Sequence, residues 1–258
     1  MAIKTRKGFF HIILAVSCIL WMESAVAAQK VVIGTGATAA ENIFFRIKEP
    51  LEKTGEAKLV IIVGGPVQAI KDLEIGMVEA AVGGVSFADW VTMLEKSGTA
   101  SPNRKAYKSQ VIGKDIIQVI TNKDVAVTDL SKNQLAGIFS GKIKNWSEVG
   151  GADMSITVLR NTDSPGTQFV FQKEILNGGA YSPEVIDLTS AGALKTRLKD
   201  TPGAIALVTQ GQIDEKVNVV TIPRVERPIT LITKGAPSDG LEKVLDYIRG
   251  PGQQYIAK

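Results

Sequence analysis

The chain has 258 residues, with 30 Lys and Arg against 26 Asp and Glu, a net charge of +4, one histidine and one cysteine. Charge so nearly balanced argues against a protein that binds nucleic acid. The length suffices for one large domain or for two smaller lobes.

The amino terminus predicts a secretory signal peptide over residues 1–27. Three basic residues precede an apolar stretch at residues 9–22, and small residues at 25–27 form a cleavage site. We therefore expect a periplasmic or secreted protein. A lipoprotein signal with lipidation at Cys18 is the alternative, but the apolar stretch continues past this residue, which favours ordinary cleavage.

Cleavage after residue 27 would remove both His11 and Cys18, the single histidine and the single cysteine. It would also lower the net charge of +4 by two, because the removed segment holds three basic residues and one acid. The remaining chain then offers no Ser–His or Cys–His nucleophile, no disulfide and no metal site built from His or Cys. We expect a protein that is not an enzyme and that has neither a cofactor nor a metal.

Three strand–turn–helix units come next, and each turn is rich in glycine. Apolar strand patterns at residues 31–33, 58–63 and 80–82 end in these turns, and apolar residues at helical spacing follow each one. The turns contain Gly36, Gly64-Gly65 and Gly83-Gly84. This alternation predicts a doubly wound α/β fold with a binding site at the carboxyl ends of the strands.

The first turn has a Gly-x-Gly-x-x-Ala pattern at residues 34–39, which nearly matches a dinucleotide-binding fingerprint. That fingerprint needs an acidic residue at the tip of the second strand, where this chain has valine and glycine, so nucleotide binding is disfavoured. Small residues also let backbone N–H groups and the hydroxyls of Thr35 and Thr38 approach an oxyanion. A purely structural glycine turn is the remaining alternative.

Further along, residues 111–121 predict a strand that carries the chain to a second lobe. Residues 204–208 predict a strand that makes the return crossing. Two separate strands are predicted at residues 217–220 and 229–232, before a final amphipathic helix.

A fourth turn, between an apolar strand pattern and a helical pattern, contains Arg160, Asp163, Ser164, Gly166 and Thr167. A helix start with unpaired N–H groups at the positive end of the helix dipole favours an anion, and an arginine adds a full charge. Asp, Ser and Thr are also ordinary helix caps, so a structural role is the alternative.

A run at residues 130–151, LSKNQLAGIFSGKIKNWSEVGG, resembles the LTxxQLxxIFxGxIxNWxxxGG segment of the periplasmic phosphate-binding proteins of ABC transporters. Residues 35–38 and 163–167 resemble the anion loops of that family, and residues 202–206 resemble its PGAIGY segment. The resemblance covers nearly the whole chain after residue 27.

The resemblance implies a two-lobed type 2 periplasmic-binding-protein fold with the ligand in the cleft between the lobes. Lobe 1 is expected at residues 28–113 plus 210–258, and lobe 2 at residues 114–209. It further implies a monomer that binds phosphate or a related oxyanion for ABC permease subunits. The expected ligand-binding residues are Thr35, Gly36, Ala37, Thr38, Gly65, Gly84, Arg160, Asp163, Ser164, Gly166 and Thr167.

Within this set, Arg160 is expected to balance the ligand charge, and Asp163 to orient the arginine. The sequence departs from the family at Gly83-Gly84, where the family carries an aspartate, and at Pro165, where it carries a serine. Arg160 also lies one residue upstream of the family's arginine, with Asn161 in its place. These departures motivate a second hypothesis, an envelope module with sensory or partner-binding function and altered or lost phosphate binding.

Overall fold

The computed structural model describes residues 28–98, 103–213 and 215–256, so the predicted signal peptide and Cys18 lie outside the described residues. The strands are β1 (Gln29–Thr35), β2 (Ala57–Val63), β3 (Ala80–Gly83), β4 (Tyr107–Thr121), β5 (Thr157–Asn161), β6 (Ile186–Leu188), β7 (Ala204–Thr209) and β8 (Asn218–Lys234). The helices are α1 (Ala37–Ala39), α2 (Phe45–Lys53), α3 (Gly65–Glu74), α4 (Phe87–Lys96), α5 (Lys132–Phe139), α6 (Pro165–Glu174), α7 (Ala191–Lys199) and α8 (Asp239–Arg249). A π-helical segment, Ala40–Phe44, joins α1 to α2 without a break.

The strands form one eight-stranded sheet in the order β2-β1-β3-β8-β4-β7-β5-β6. In its first half, β1 is parallel to β2 and β3. In its second half, β5 is parallel to β6 and β7. The antiparallel pair β4 and β8 lies between the two halves. This architecture confirms the predicted two-lobed α/β fold.

Both faces of the first half are covered because side chains alternate along β1. Val31 and Ile33 pack in a cluster with apolar residues of α2 and α8. Val32 faces the other side, against a cluster that contains Ile70 and Leu73 of α3 and Trp90 of α4. Helices on both faces are what the doubly wound pattern predicts. In the described part of the chain, no helix has the length and apolar character needed to span a membrane.

The strand that returns the chain to the first half of the sheet is not the one predicted from the sequence. Residues 204–208 fall in β7, which pairs with β4 and β5 inside the second half. The crossing is made by β8, a continuous strand of 17 residues that joins the two segments predicted as separate strands. Its register against β4 shifts where Val220 and Val225 pair with Val119 and Ile117, and this irregularity accommodates Pro223, which cannot donate a ladder hydrogen bond.

Candidate functional site

Three of the four predicted turns lie side by side at the ends of parallel strands. Thr35, at the end of β1, is in register with Val63 of β2 and Val82 of β3. Backbone hydrogen bonds join the turns: the N–H of Gly64 donates to Thr35 O at 3.0 Å, and the N–H of Gly36 donates to Val82 O at 3.1 Å. These turns therefore form one continuous surface.

The fourth turn reaches this surface from the second half of the sheet. A Cβ placed on Gly65 would lie 3.6 Å from Cγ of Pro165, and a Cβ placed on Gly166 would lie 3.7 Å from O of Gly84. The starts of α3 and α6 thus face each other. Gly65 has a φ of +81°, a backbone conformation that glycine adopts without strain. The structure brings all four turns to one place.

The helices that begin at the first, second and fourth turns lack a side-chain cap, whereas α4, at the third turn, has one. α4, α5, α7 and α8 each follow a serine whose side chain accepts a hydrogen bond from a backbone N–H. α1, α3 and α6 follow Gly36, Gly64 and Ser164, and none of these residues caps its helix through a side chain. The first N–H groups of a helix have no partner within it and carry the positive end of the dipole. Three uncapped starts that meet at one place suit an anion.

Buried threonine side chains lie among these N–H groups. Thr35 is fully buried and donates to Gly36 O at 3.1 Å, and Thr38 is 6 % exposed. Thr167, in the first turn of α6, is 2 % exposed, and its Oγ1 has no hydrogen-bond partner among the residues that the structure describes. Leaving a buried hydroxyl unpaired costs about 1–3 kcal/mol. An oxyanion oxygen at this point would accept the hydrogen bond of Thr167.

The remaining predicted residues lie within the turns themselves. Ala37 lies in the first turn of α1 and is half-buried, while Gly84 is buried. Ser164 is 8 % exposed, and its Oγ accepts a hydrogen bond from Nδ2 of Asn161 at 3.3 Å. The Oδ1 atom of Asn161 accepts from the N–H of Asp163 at 3.0 Å, whereas Asp163 itself is exposed. Asn161 therefore organises the fourth turn.

Arg160 lies in a groove along α6 with a volume of about 740 Å³, and none of the glycines of the four turns lines this groove. Its Nε and Nη2 donate to the two carboxylate oxygens of Asp187 at 2.6 and 2.7 Å, and its guanidinium lies 5.3 Å from the ring centre of Tyr181. Asp187, and not Asp163 as predicted, orients the arginine. The charge-balancing role of Arg160 stays a prediction that this arrangement does not support.

Hydrogen bonding and burial set the ionisation of this groove. The hydrogen bond to Arg160 lowers the pKa of Asp187, and the same bond raises the pKa of Arg160. Burial raises the pKa of Tyr181. At neutral pH the groove therefore holds a charge-neutral ion pair beside a neutral phenol.

A buried guanidinium, that of Arg227 of β8, lies at the third and fourth turns, and the sequence analysis did not select this residue. Its Nη1 donates to Gly84 O at 3.2 Å, and its Nε and Nη2 donate to Oδ2 of Asp115 at 3.1 and 2.7 Å. The two side chains are 2 % and 3 % exposed. In the sequence Asp115 and Arg227 are only opposite charges far apart along the chain, and their partnership becomes visible in the register of β4 and β8.

Across residues 28–98, 103–213 and 215–256, no group of three or more Asp, Glu, His or Cys residues is arranged to hold a metal ion. The uncapped helix starts and the guanidinium of Arg227 are hydrogen-bond donors, which suits a small, negatively charged ligand.

Comparison with known sequences connects this site to a family. The family model described as PBP superfamily domain matches residues 23–250. The phosphate-binding protein PstS of Bacillus subtilis is 31 % identical over 231 residues, which cover 83 % of this chain and 74 % of the relative.

Solved structures share the same architecture. A protein of Clostridium perfringens, described as a phosphate ABC transporter substrate-binding protein with bound phosphate, has a TM-score of 0.74 and 22 % identity, over 89 % of this chain and 99 % of that one. An ABC-type phosphate transport receptor of Vibrio cholerae has a TM-score of 0.69 and 18 % identity, over 88 % of this chain and 100 % of that one. At these identities the likeness shows the fold.

Proposed function

This chain belongs to the PBP superfamily, in the family of the phosphate-binding proteins PstS, and on that premise we propose that it is an exported solute-binding protein that binds phosphate for an ABC transporter. The observation that carries the proposal is the buried Oγ1 of Thr167, which lacks a partner among the described residues at the place where three uncapped helix starts meet. An oxyanion accepts hydrogen bonds from all of these groups at once.

The ligand in this proposal is bound and released unchanged. The groups that meet at the four turns are backbone N–H groups, threonine hydroxyls and the guanidinium of Arg227, which are donors suited to holding an anion. We further propose that the mature protein begins after residue 27, acts as a monomer in the periplasm and presents its ligand to permease subunits.

We propose the lobes predicted from the sequence, residues 28–113 plus 210–258 and residues 114–209, as the units that close on the ligand. The long strands β4 and β8 connect them, and the register shift between Val111 and Gly113 supports a boundary near residue 113. The starts of α3 and α6, which face each other in this structure, would lie on opposite sides of the closing cleft, because these two helices belong to different lobes in this division.

Isothermal titration of the purified protein with phosphate, sulfate and molybdate tests the proposal. We expect saturable binding of one oxyanion per chain, while acetate, which lacks tetrahedral oxygens, should give no comparable heat. The absence of heat with all three oxyanions would reject the function. Crosslinking in intact cells should then join the protein to a permease subunit of a phosphate transporter.

A non-transport module in the cell envelope is the second candidate. It is favoured by the Arg227–Asp115 ion pair. Because the carboxylate of Asp115 already balances the charge of Arg227, the site does not need a bound anion for charge balance. Under this alternative, envelope extracts would yield a partner other than a permease, and titration with the three oxyanions would give no saturable binding.

A further inference from the structure

The outer side of β2 is the free edge of the first half of the sheet. β2 stands first in the order of the strands and pairs with β1. Along a strand, successive residues point their N–H and C=O groups to opposite edges, so every second residue of β2 turns both groups away from β1. In the described part of the chain no further strand lies on that side to pair with them. Such an edge is a template for another strand.

Two side chains of α2 show which residues of β2 face the free edge. The N–H of Leu59 donates to Oε1 of Glu52 at 2.9 Å, and its C=O accepts a hydrogen bond from Nζ of Lys48. Both backbone groups of Leu59 are therefore engaged and cannot pair with another strand. Ile61 and Val63 lie two and four residues further along β2, so their backbone groups point to the same free edge.

The open part of this edge is apolar. Val63 is 48 % exposed, and Ile61 is half-buried. Phe45, the first residue of α2, is 53 % exposed and shares one helical stripe with Lys48 and Glu52. α2 leads through a short turn into β2, so helix and strand run in opposite directions. One helical turn and two strand residues each cover roughly 5–7 Å, which places Phe45 level with Ile61.

The position of the open part relates it to the candidate site. The hydrogen bonds to Leu59 close the edge towards the start of β2, so Ile61 and Val63 remain at the carboxyl end of the strand. Val63 directly precedes the second turn, which contains Gly64 and Gly65. A short strand added to this edge would therefore lie at the end of the sheet where the four turns meet.

We propose that an extended segment of the permease adds to the sheet as a short strand beside Ile61 and Val63. This inference rests on the proposed function, since a permease that receives the ligand approaches the end of the sheet at which the ligand is held. Free N–H and C=O groups at alternate residues pair with an extended backbone. Phe45 and Val63 select apolar side chains at alternate positions of that segment, because side chains two residues apart lie on one face.

Photocrosslinking in intact cells that express the phosphate permease tests this surface. The substitution Val63→p-benzoylphenylalanine should give a crosslink to a permease subunit. The matched control is Ile75→p-benzoylphenylalanine, because Ile75 is 74 % exposed and follows the end of α3 away from the second turn. Its yield should be at least about tenfold lower. Equal yields would overturn the inference, as would a crosslink from position 63 to a second copy of this chain, to any other protein or to none.

A charge at Phe45 tests the apolar part of the surface. Phe45→Arg should lower the crosslinking yield from position 63 by about tenfold, the order expected for one apolar contact at the centre of an interface. Ile75→Arg is the control and should leave the yield unchanged. Melting curves verify that both variants are folded, and calorimetry should show phosphate affinities within about twofold of the unmodified protein. An unchanged yield with Phe45→Arg would overturn the inference, whereas an unmodified protein that gives no heat with phosphate would reject the proposed function.

Discussion

Arg160 and Asp187 are partners in the parallel register of β5 and β6, and two hydrogen bonds of 2.6 and 2.7 Å join the guanidinium to the carboxylate. The pair lies beside Tyr181 in the groove along α6. Its geometry accounts for the orientation of Arg160 without a ligand. We therefore expect a substitution of Arg160 to affect folding stability without affecting oxyanion binding.

Substituting Arg160→Gln should leave oxyanion affinity within about twofold while lowering stability by no more than about 1 kcal/mol, because both members of the pair are partly exposed. Calorimetry and urea denaturation measure the two effects. A large loss of affinity would restore Arg160 to the binding site and contradict its assignment to the groove.

The same pair predicts a pH dependence of stability. The folded protein holds the pKa of Asp187 below its ordinary value of about 3.9. The stabilisation is therefore present above that value and is lost as the pH falls through the lower pKa of the folded state. The difference in unfolding free energy between the unmodified protein and Asp187→Asn should shrink in this acidic range. A difference that is constant from neutral to acidic pH would contradict the prediction.

Thr167→Val should weaken phosphate binding by about tenfold, because it removes a buried hydroxyl at the meeting point of the helix starts and keeps the side-chain volume. Stability should not fall, since Oγ1 has no partner among the described residues. Thr196→Val, at an exposed position of α7, is the matched control and should leave affinity unchanged. Equal affinities for the two variants would remove Thr167 from the site.

Gly84→Ala should destabilise the protein by about 1–3 kcal/mol and weaken oxyanion binding, because the new methyl group overlaps the guanidinium of Arg227. The control is Gly192→Ala in α7, where an added Cβ would lie 4.0 Å from Oγ of Ser190. That substitution should be neutral or stabilise by about 0.5–1 kcal/mol, as expected for alanine in a helix. Chemical denaturation of both variants provides the comparison, and an unaffected Gly84→Ala protein would show that Arg227 moves aside freely.

Lys173→Met should increase the dissociation rate of phosphate by about two- to fivefold, the order expected for one partly exposed ion pair. Lys173 of α6 lies 2.7 Å from Asp89 of α4, and this contact joins the two sides of the site. The matched control is Lys144→Met, because Lys144 pairs with Glu184 at the same distance within the second half. Stopped-flow measurements that give the same dissociation rate for both variants would show that the Lys173–Asp89 contact does not slow the release of phosphate.

Local patterns in the sequence predicted the α/β class and the four turns, whereas the two-lobed arrangement was expected from the family resemblance. Each glycine turn follows its own apolar strand and precedes its own helix, so the information lies within about twenty residues of chain. The continuity of β8 was harder to see, because Pro223 and the charged residues around it interrupt the apolar pattern. Only pairing with β4, more than a hundred residues earlier, makes this segment a strand.

The sequence placed the charge of the site on Arg160 and did not select Arg227, and strand geometry explains why. Successive side chains of a strand point to opposite faces, so the one-residue offset between Arg160 and Asn161 decides which of them faces the turns. Asn161 is buried beside Ser164, while Arg160 lies in the groove. Arg227 could not be located from sequence, because its partnership with Asp115 depends on a long-range register.

Arg227 and Asp115 belong to β8 and β4, the two strands that join the halves of the sheet, and their pair is buried. Through Gly84 the same pair touches the third turn. A substitution at either residue would therefore disturb the seam between the halves and the shape of that turn together.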